Sequence, residues 1–247
     1  VVGLLKHIGV GLTDFLIYVI PINVLELLAA ISGTIFIIKV PNLKPVDKYL
    51  VWFLWYVIFS ELLGSISAIM YFSEGRLLPF FKDTIFIDNR WVINIYTLVS
   101  SAFYSYYFSE FLRKGIWKVI VQFLIVFYII SSIINLAVTD VFFTKDSIYL
   151  NLFGAFLIFL SIVLLYFEIL KSEVLLNLKR FLPMYISIGI LAFTLCVTPF
   201  TILSEYFNSE NSTFVTLQSS LLLYSNLFMY SCFILGFYLC SKKKKYY

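Results

Sequence analysis

The sequence predicts an all-α, polytopic transmembrane bundle of seven helices. Three observations carry that reading: an apolar composition, seven long apolar runs, and a one-sided distribution of basic residues. Of 247 residues, 62% are hydrophobic and 13% charged, whereas a soluble domain carries about 25% charged residues. Mean hydropathy is +0.97, so most of this surface is matched to lipid. Spanning the hydrocarbon takes about 20 apolar residues in a helix, and backbone amides in lipid must bond within a helix or a closed barrel. The apolar runs lack the two-residue alternation of a barrel strand.

The first predicted span covers 13–39, with residues 1–12 expected along the interface. Its apolar stretch is too long for a cleaved signal peptide and carries Glu26 near its centre. The second, 49–72, carries Glu61 at similar depth, and the loop from Ser73 to Arg90 has room for a short amphipathic segment. The third and fourth, 91–112 and 116–138, are separated by Arg113 and Lys114. The fifth is 148–170, the sixth 183–206 and the seventh 215–240. Pro21 and Pro199 interrupt the first and sixth spans, each freeing a carbonyl and favouring a bend.

Basic residues are retained on the cytoplasmic side of short loops. Thirteen Lys and Arg fall on one side: Lys39, Lys44, Lys48, Arg113, Lys114, Lys118, Lys171, Lys179, Arg180 and Lys242 to Lys245. Five fall on the other: Lys6, Arg76, Lys82, Arg90 and Lys145. The expected topology therefore has the N-terminus outside, the C-terminus cytoplasmic, and the chain multi-pass in a cell membrane of the bacterial inner-membrane type. The terminal lysines also suit attraction to anionic lipid.

Glu26 and Glu61 are the outstanding polar positions. An ionisable group at the bilayer centre costs roughly 2.5–3.5 kcal/mol on insertion scales and normally faces the bundle interior with a partner. Two carboxyls close together there cannot both ionise cheaply, which suits proton coupling or cation binding. The competing reading makes each glutamate an internal hydrogen bond holding helices together. Small residues follow both sites at helical spacing, Ala30 and Gly33 after Glu26, and Gly64, Ser65 and Ala68 after Glu61. They are expected to permit close helix approach.

The third span sets Asn94, Thr97, Ser101 and Tyr104 along one face, and the seventh sets Ser219, Asn226 and Tyr230 similarly. These residues can line a shared polar cleft or satisfy one another between helices. Glu168 precedes Lys171 by three residues, as Glu110 precedes Arg113, and both are expected to pair locally at the surface.

No catalytic or metal site is expected. The single histidine, His7, lies outside the spans, which removes histidine-dependent metal sites and Ser-His dyads from the membrane interior. Cys196, Cys232 and Cys240 lack metal or redox spacing and read as core residues. No cofactor is implied. Retinal needs a lysine in the last helix, and 215–240 has none. Nucleic acid is not an expected partner; the lipid bilayer is, together with a protein partner in the membrane.

The segments Glu61-Leu62-Leu63-Gly64, Asn94-Ile95-Tyr96-Thr97, Ile186-Ser187-Ile188-Gly189 and Asn226 to Gly236 resemble a family of small uncharacterised bacterial seven-helix membrane proteins. That resemblance implies a seven-helix bundle of unassigned function. It also implies a glutamate in the third span, where this chain has Ser100 or Ser101. Three functions compete: a sensor or receptor-like module binding a small or lipidic ligand, a proton-coupled transporter using Glu26 and Glu61, and a structural subunit of a membrane complex. The first fits the topology and the cleft, and the lack of an output domain requires a partner.

Overall fold

The computed structural model describes residues 12–74, 76–81, 84–203 and 212–242. Seven helices of 20 residues or more occur among them. We call these α1 (Leu12–Lys39), α2 (Pro45–Phe72), α3 (Arg90–Ser109), α4 (Ile116–Val138), α5 (Ile148–Leu170), α6 (Leu182–Leu203) and α7 (Ser212–Ser241). Short 3-10 turns at Pro79–Phe81, Ile85–Ile87 and Glu173–Arg180 and one helical turn at Val141–Thr144 complete the described structure. Residues 1–11, including His7, and Lys243 to Lys245 lie outside the described residues.

The predicted spans and the helices coincide for α4 and α5, while α2 begins four residues earlier than its predicted span, at Pro45, and α3 stops at Ser109 rather than 112. Proline suits the first helical turn because its missing N–H is one that no helix bond would use. α1 and α6 run unbroken through Pro21 and Pro199.

Six helices, all except α3, are long and apolar enough to cross a membrane. The chain is thus an all-α, apolar bundle of the integral membrane type. α3 differs because Asn94, Ser101, Ser105 and Ser109 are buried along it, with Tyr104 and Tyr107.

Six helices close a ring. α1 packs on α2, α2 on α3, α3 on α5, α5 on α6, α6 on α7, and α7 returns to α1. α4 lies outside this ring, against α3 and α5. Its buried residues, Val121, Ile125, Tyr128 and Ser132, form one narrow stripe. The remainder points outward, as Trp117, Phe123 and Ile134 do, which in lipid carries no penalty.

The seams are made by small residues and buried rings. A Cβ on Gly189 would stand 3.0 Å from the Met229 carbonyl oxygen, and one on Gly236 would stand 2.8 Å from the Tyr185 Cβ. α6 and α7 therefore each seat a glycine under the other, the close approach that small residues permit in membranes. Gly33 serves likewise against Val51 and Phe237. Gly64 does not: a Cβ there meets only Asn89, at 3.8 Å. Open space replaces the expected close packing at Gly64, while Ala68, one turn on, is buried.

One end of the bundle gathers most of the described basic residues. Lys44 lies over the Phe111 ring, Arg113 pairs with Glu168 at 2.6 Å, and Lys118 with Glu110 at 2.9 Å. The local three-residue pairs expected for Glu110 and Glu168 are replaced: Lys118 reaches back across the α3–α4 turn to Glu110, and Arg113 reaches from that turn to Glu168 at the end of α5. Arg90 marks the opposite end, bonded to Asp146 at 3.0 Å. There the Ser73–Arg90 segment folds onto α2, with Ser67 Oγ donating to the Ile87 carbonyl at 2.9 Å.

Candidate functional site

A cavity of about 360 Å³ occupies the middle of the ring. Each of the six ring helices contributes to its wall and α4 contributes nothing. The wall uses Val19 to Glu26 of α1, Ser60 to Ser65 of α2, Tyr96 to Tyr104 of α3, Asn151 to Ile158 of α5, Ile190 to Thr201 of α6 and Gln218 to Tyr230 of α7. These stretches come from the starts of α1, α3, α5 and α7 and the later parts of α2 and α6. The cavity therefore lies toward the Arg90 end, where the loop residues Asn89 and Asp146 border it.

Its floor stands at the level of Glu26 and Tyr230. Beyond it, toward the lysine-rich end, the bundle is filled by Ala30, Leu54, Tyr107, Ile162, Ile186 and Phe233, all nearly inaccessible. The fourteen residues of α1 from Glu26 to Lys39 rise about 20 Å at helical pitch, and these buried side chains pack along that length. Among the described residues, packed side chains close the space at the lysine-rich end.

Glu26 is buried in the floor, hydrogen-bonded with the Tyr230 hydroxyl and within electrostatic reach of Glu61. Tyr96 and Tyr104 also stand in the field of Glu26. Glu61 keeps accessible surface, and the space it borders is the cavity. The sequence pairing of these two glutamates thus becomes a spatial one. It arises because α1 and α2 are adjacent and antiparallel, so residues near the middle of each meet at one depth.

Ser101, Tyr104, Asn226 and Tyr230 line the same cavity, as does Thr97. Asn226 borders the cavity and donates its amide N–H to the Leu222 carbonyl at 2.8 Å. Asn94 is placed elsewhere. Its amide donates to the carbonyls of Val141, Phe142 and Lys145 at 3.4, 3.1 and 3.1 Å and accepts from the Ser147 N–H at 2.9 Å. It is a clasp for the α4–α5 connection, and Ser147 in turn caps α5 by accepting from Leu150 N–H. Ser219 is buried but does not border the cavity.

Sequence reasoning missed Asn23, Asn151, Gln218 and the α6 threonines. Thr194, Thr198 and Thr201 recur at four- and three-residue spacing, a polar stripe that the helical period makes legible. Asn23 lies one turn before Glu26 and shares its face.

The wall is polar in a particular sense. Among the described residues no Lys, Arg or His lines the cavity, while Glu26, Glu61 and Asp146 do. Asp146 has its partner in Arg90; among the described residues of the wall the two glutamates face none of opposite charge. Apolar side chains, among them Ile22, Ile158, Ile190 and Phe193, fill the gaps between polar groups. An apolar wall with a few convergent polar groups is the usual form of a small-molecule site. No group of three or more His, Cys, Asp or Glu suited to a metal ion occurs among the described residues. Comparison with protein-family models, with curated proteins and with solved structures gave no match.

Proposed function

We propose that this chain is a seven-span receptor-like membrane module that binds a small molecule in the cavity and acts through a partner protein in the membrane. The observation that carries this reading is the shape of the cavity. Six helices surround it, and among the described residues packed side chains close it at the lysine-rich end. A ligand seated there touches every ring helix at once, so its binding can alter their relative packing without a passage through the protein. The transmitted change would be read at the lysine-rich end.

In this reading α3 also crosses the membrane. Its 20 residues reach about 30 Å at helical pitch, and its polar side chains are spent on the cavity and on internal bonds rather than on lipid. The lysine-rich end faces the cytoplasm, as the placement of Lys and Arg suggests, and the cavity opens on the opposite side.

The test is native mass spectrometry of the full chain released from its own membranes in mild detergent. A bound small molecule should accompany the parent and be absent from Gly64→Leu, which fills the cavity where the backbone leaves room. A parent that carries no such mass, with the same spectrum as the filled variant, counts against a ligand-binding role.

The carboxyl pair at the floor supports a second reading, a proton-coupled carrier. Such a carrier needs the packed floor to open toward the lysine-rich end. Flux in proteoliposomes that falls in both Glu26→Gln and Glu61→Gln would favour it over the receptor.

A further inference from the structure

We propose that the cavity takes an organic cation, a small molecule bearing a protonated amine that sits on the Glu26 and Glu61 carboxyls and presents a second hydrogen-bond donor toward the mouth. This deepens the ligand-binding reading and rests on it.

The carboxyls face a shared space with no basic residue in the described wall. Two negative charges in a low-dielectric site need a proton or a bound cation between them. A second, independent observation points the same way. Gln218 and Asn89 border the cavity at 8% and 7% exposure, and the side-chain oxygen of each is buried without a hydrogen-bond partner among the described residues. A buried acceptor left unpaired is costly, and both oxygens ask for a donor.

Floor and mouth are thus both acceptor-rich. Gln218 and Tyr230 are twelve residues apart on α7, which separates these levels by about 18 Å along the helix. An elongated molecule with an ammonium at one end and an N–H or O–H at the other satisfies both. A bare metal ion does not fit, since the cavity is about 360 Å³ and among the described residues no metal-ligand cluster is present.

The experiment is thermal unfolding of the full chain in zwitterionic nanodiscs, with cadaverine and the longer 1,12-diaminododecane each set against its diol, 1,5-pentanediol and 1,12-dodecanediol. The amines should raise the parent midpoint by about 4–8 °C at saturation, and the alcohols should not. Glu61→Gln should lose the shift, whereas Glu168→Gln, whose carboxylate pairs with Arg113 away from the cavity, should keep it. The comparison of amine with alcohol on the parent needs no variant, so a misfolded Glu26→Gln leaves the test intact.

Alcohols that shift the midpoint as far as the amines, with both effects lost in Gly64→Leu, overturn the cation assignment while leaving the ligand-binding reading standing. An amine shift that survives in both Glu26→Gln and Glu61→Gln places the binding elsewhere and also overturns it. No shift from any of the four compounds overturns it as well, and native mass spectrometry then decides the broader reading separately.

Discussion

The Tyr107 hydroxyl of α3 donates to Asp47 Oδ1 in the first turn of α2 at 3.2 Å, and both side chains are buried, at 0% and 8% exposure. This bond ties α2 to α3 below the cavity floor, on the sealed side of the bundle. Asp47 also stands at a helix N-terminus, where the exposed backbone N–H groups favour an acceptor. Tyr107→Phe should therefore destabilise the bundle by about 1–3 kcal/mol, the cost of a buried acceptor without its donor. Unfolding in mild detergent measures it, and a double-mutant cycle with Asp47→Ala should return a coupling; additive losses would show that the bond contributes nothing.

Asn94 is expected to be a structural residue rather than a ligand contact. Asn94→Ala removes four hydrogen bonds to the α4–α5 connection and should cost about 2–4 kcal/mol. Asn94→Asp should not rescue it, since a carboxylate cannot donate to three carbonyls. Ligand affinity of the folded fraction should be unchanged, and a selective loss of affinity at full stability would reverse the assignment.

The glycines separate into two kinds. Gly154→Ala forces a Cβ to within 2.8 Å of Ser101 Cβ and 3.0 Å of the Tyr128 hydroxyl, an overpacking worth about 1–3 kcal/mol. Gly64→Ala meets nothing closer than 3.8 Å and should change stability by less than about 0.5 kcal/mol. Equal melting losses for the two variants would mean that the space beside Glu61 is not open.

Topology is checked by cysteine labelling in a background without Cys196, Cys232 and Cys240. Glu74→Cys and Lys145→Cys should react with an impermeant maleimide added to intact cells. Lys114→Cys and Lys171→Cys should react only after permeabilisation. Labelling of Glu74→Cys and Lys114→Cys from one side would remove the α3 crossing.

How much of this was legible in the sequence differs by level. Helix positions follow from local apolarity, and the limits of α4 and α5 are already visible in their runs. α3 is the instructive exception. Its buried Asn94, Ser101 and Ser105 lower its apolarity, so composition alone undervalues a helix whose polar face is turned inward. Of the candidate residues, Glu26 and Glu61 stand out in the sequence because charge at mid-span is expensive. Asn94 and Ser101 share a predicted face yet part company in the structure, since a helix near its end meets loops where its middle meets neighbouring helices.

The sequence by itself determined the all-α class, the apolar helices and the two mid-span carboxyls, because these depend on composition and on the helical repeat within single segments. Only the tertiary structure decided that α4 lies outside a six-helix ring, that Glu110 pairs across the α3–α4 turn and Glu168 with that turn's Arg113, and that Glu26, Glu61 and Tyr230 border one cavity. Those outcomes depend on which helices are neighbours and at what depth they cross. Lipid supplies no hydrophobic drive to choose between apolar faces, so glycine seats such as Gly189 under Met229 and buried bonds such as Tyr107 to Asp47 make the choice, and no single segment carries that information.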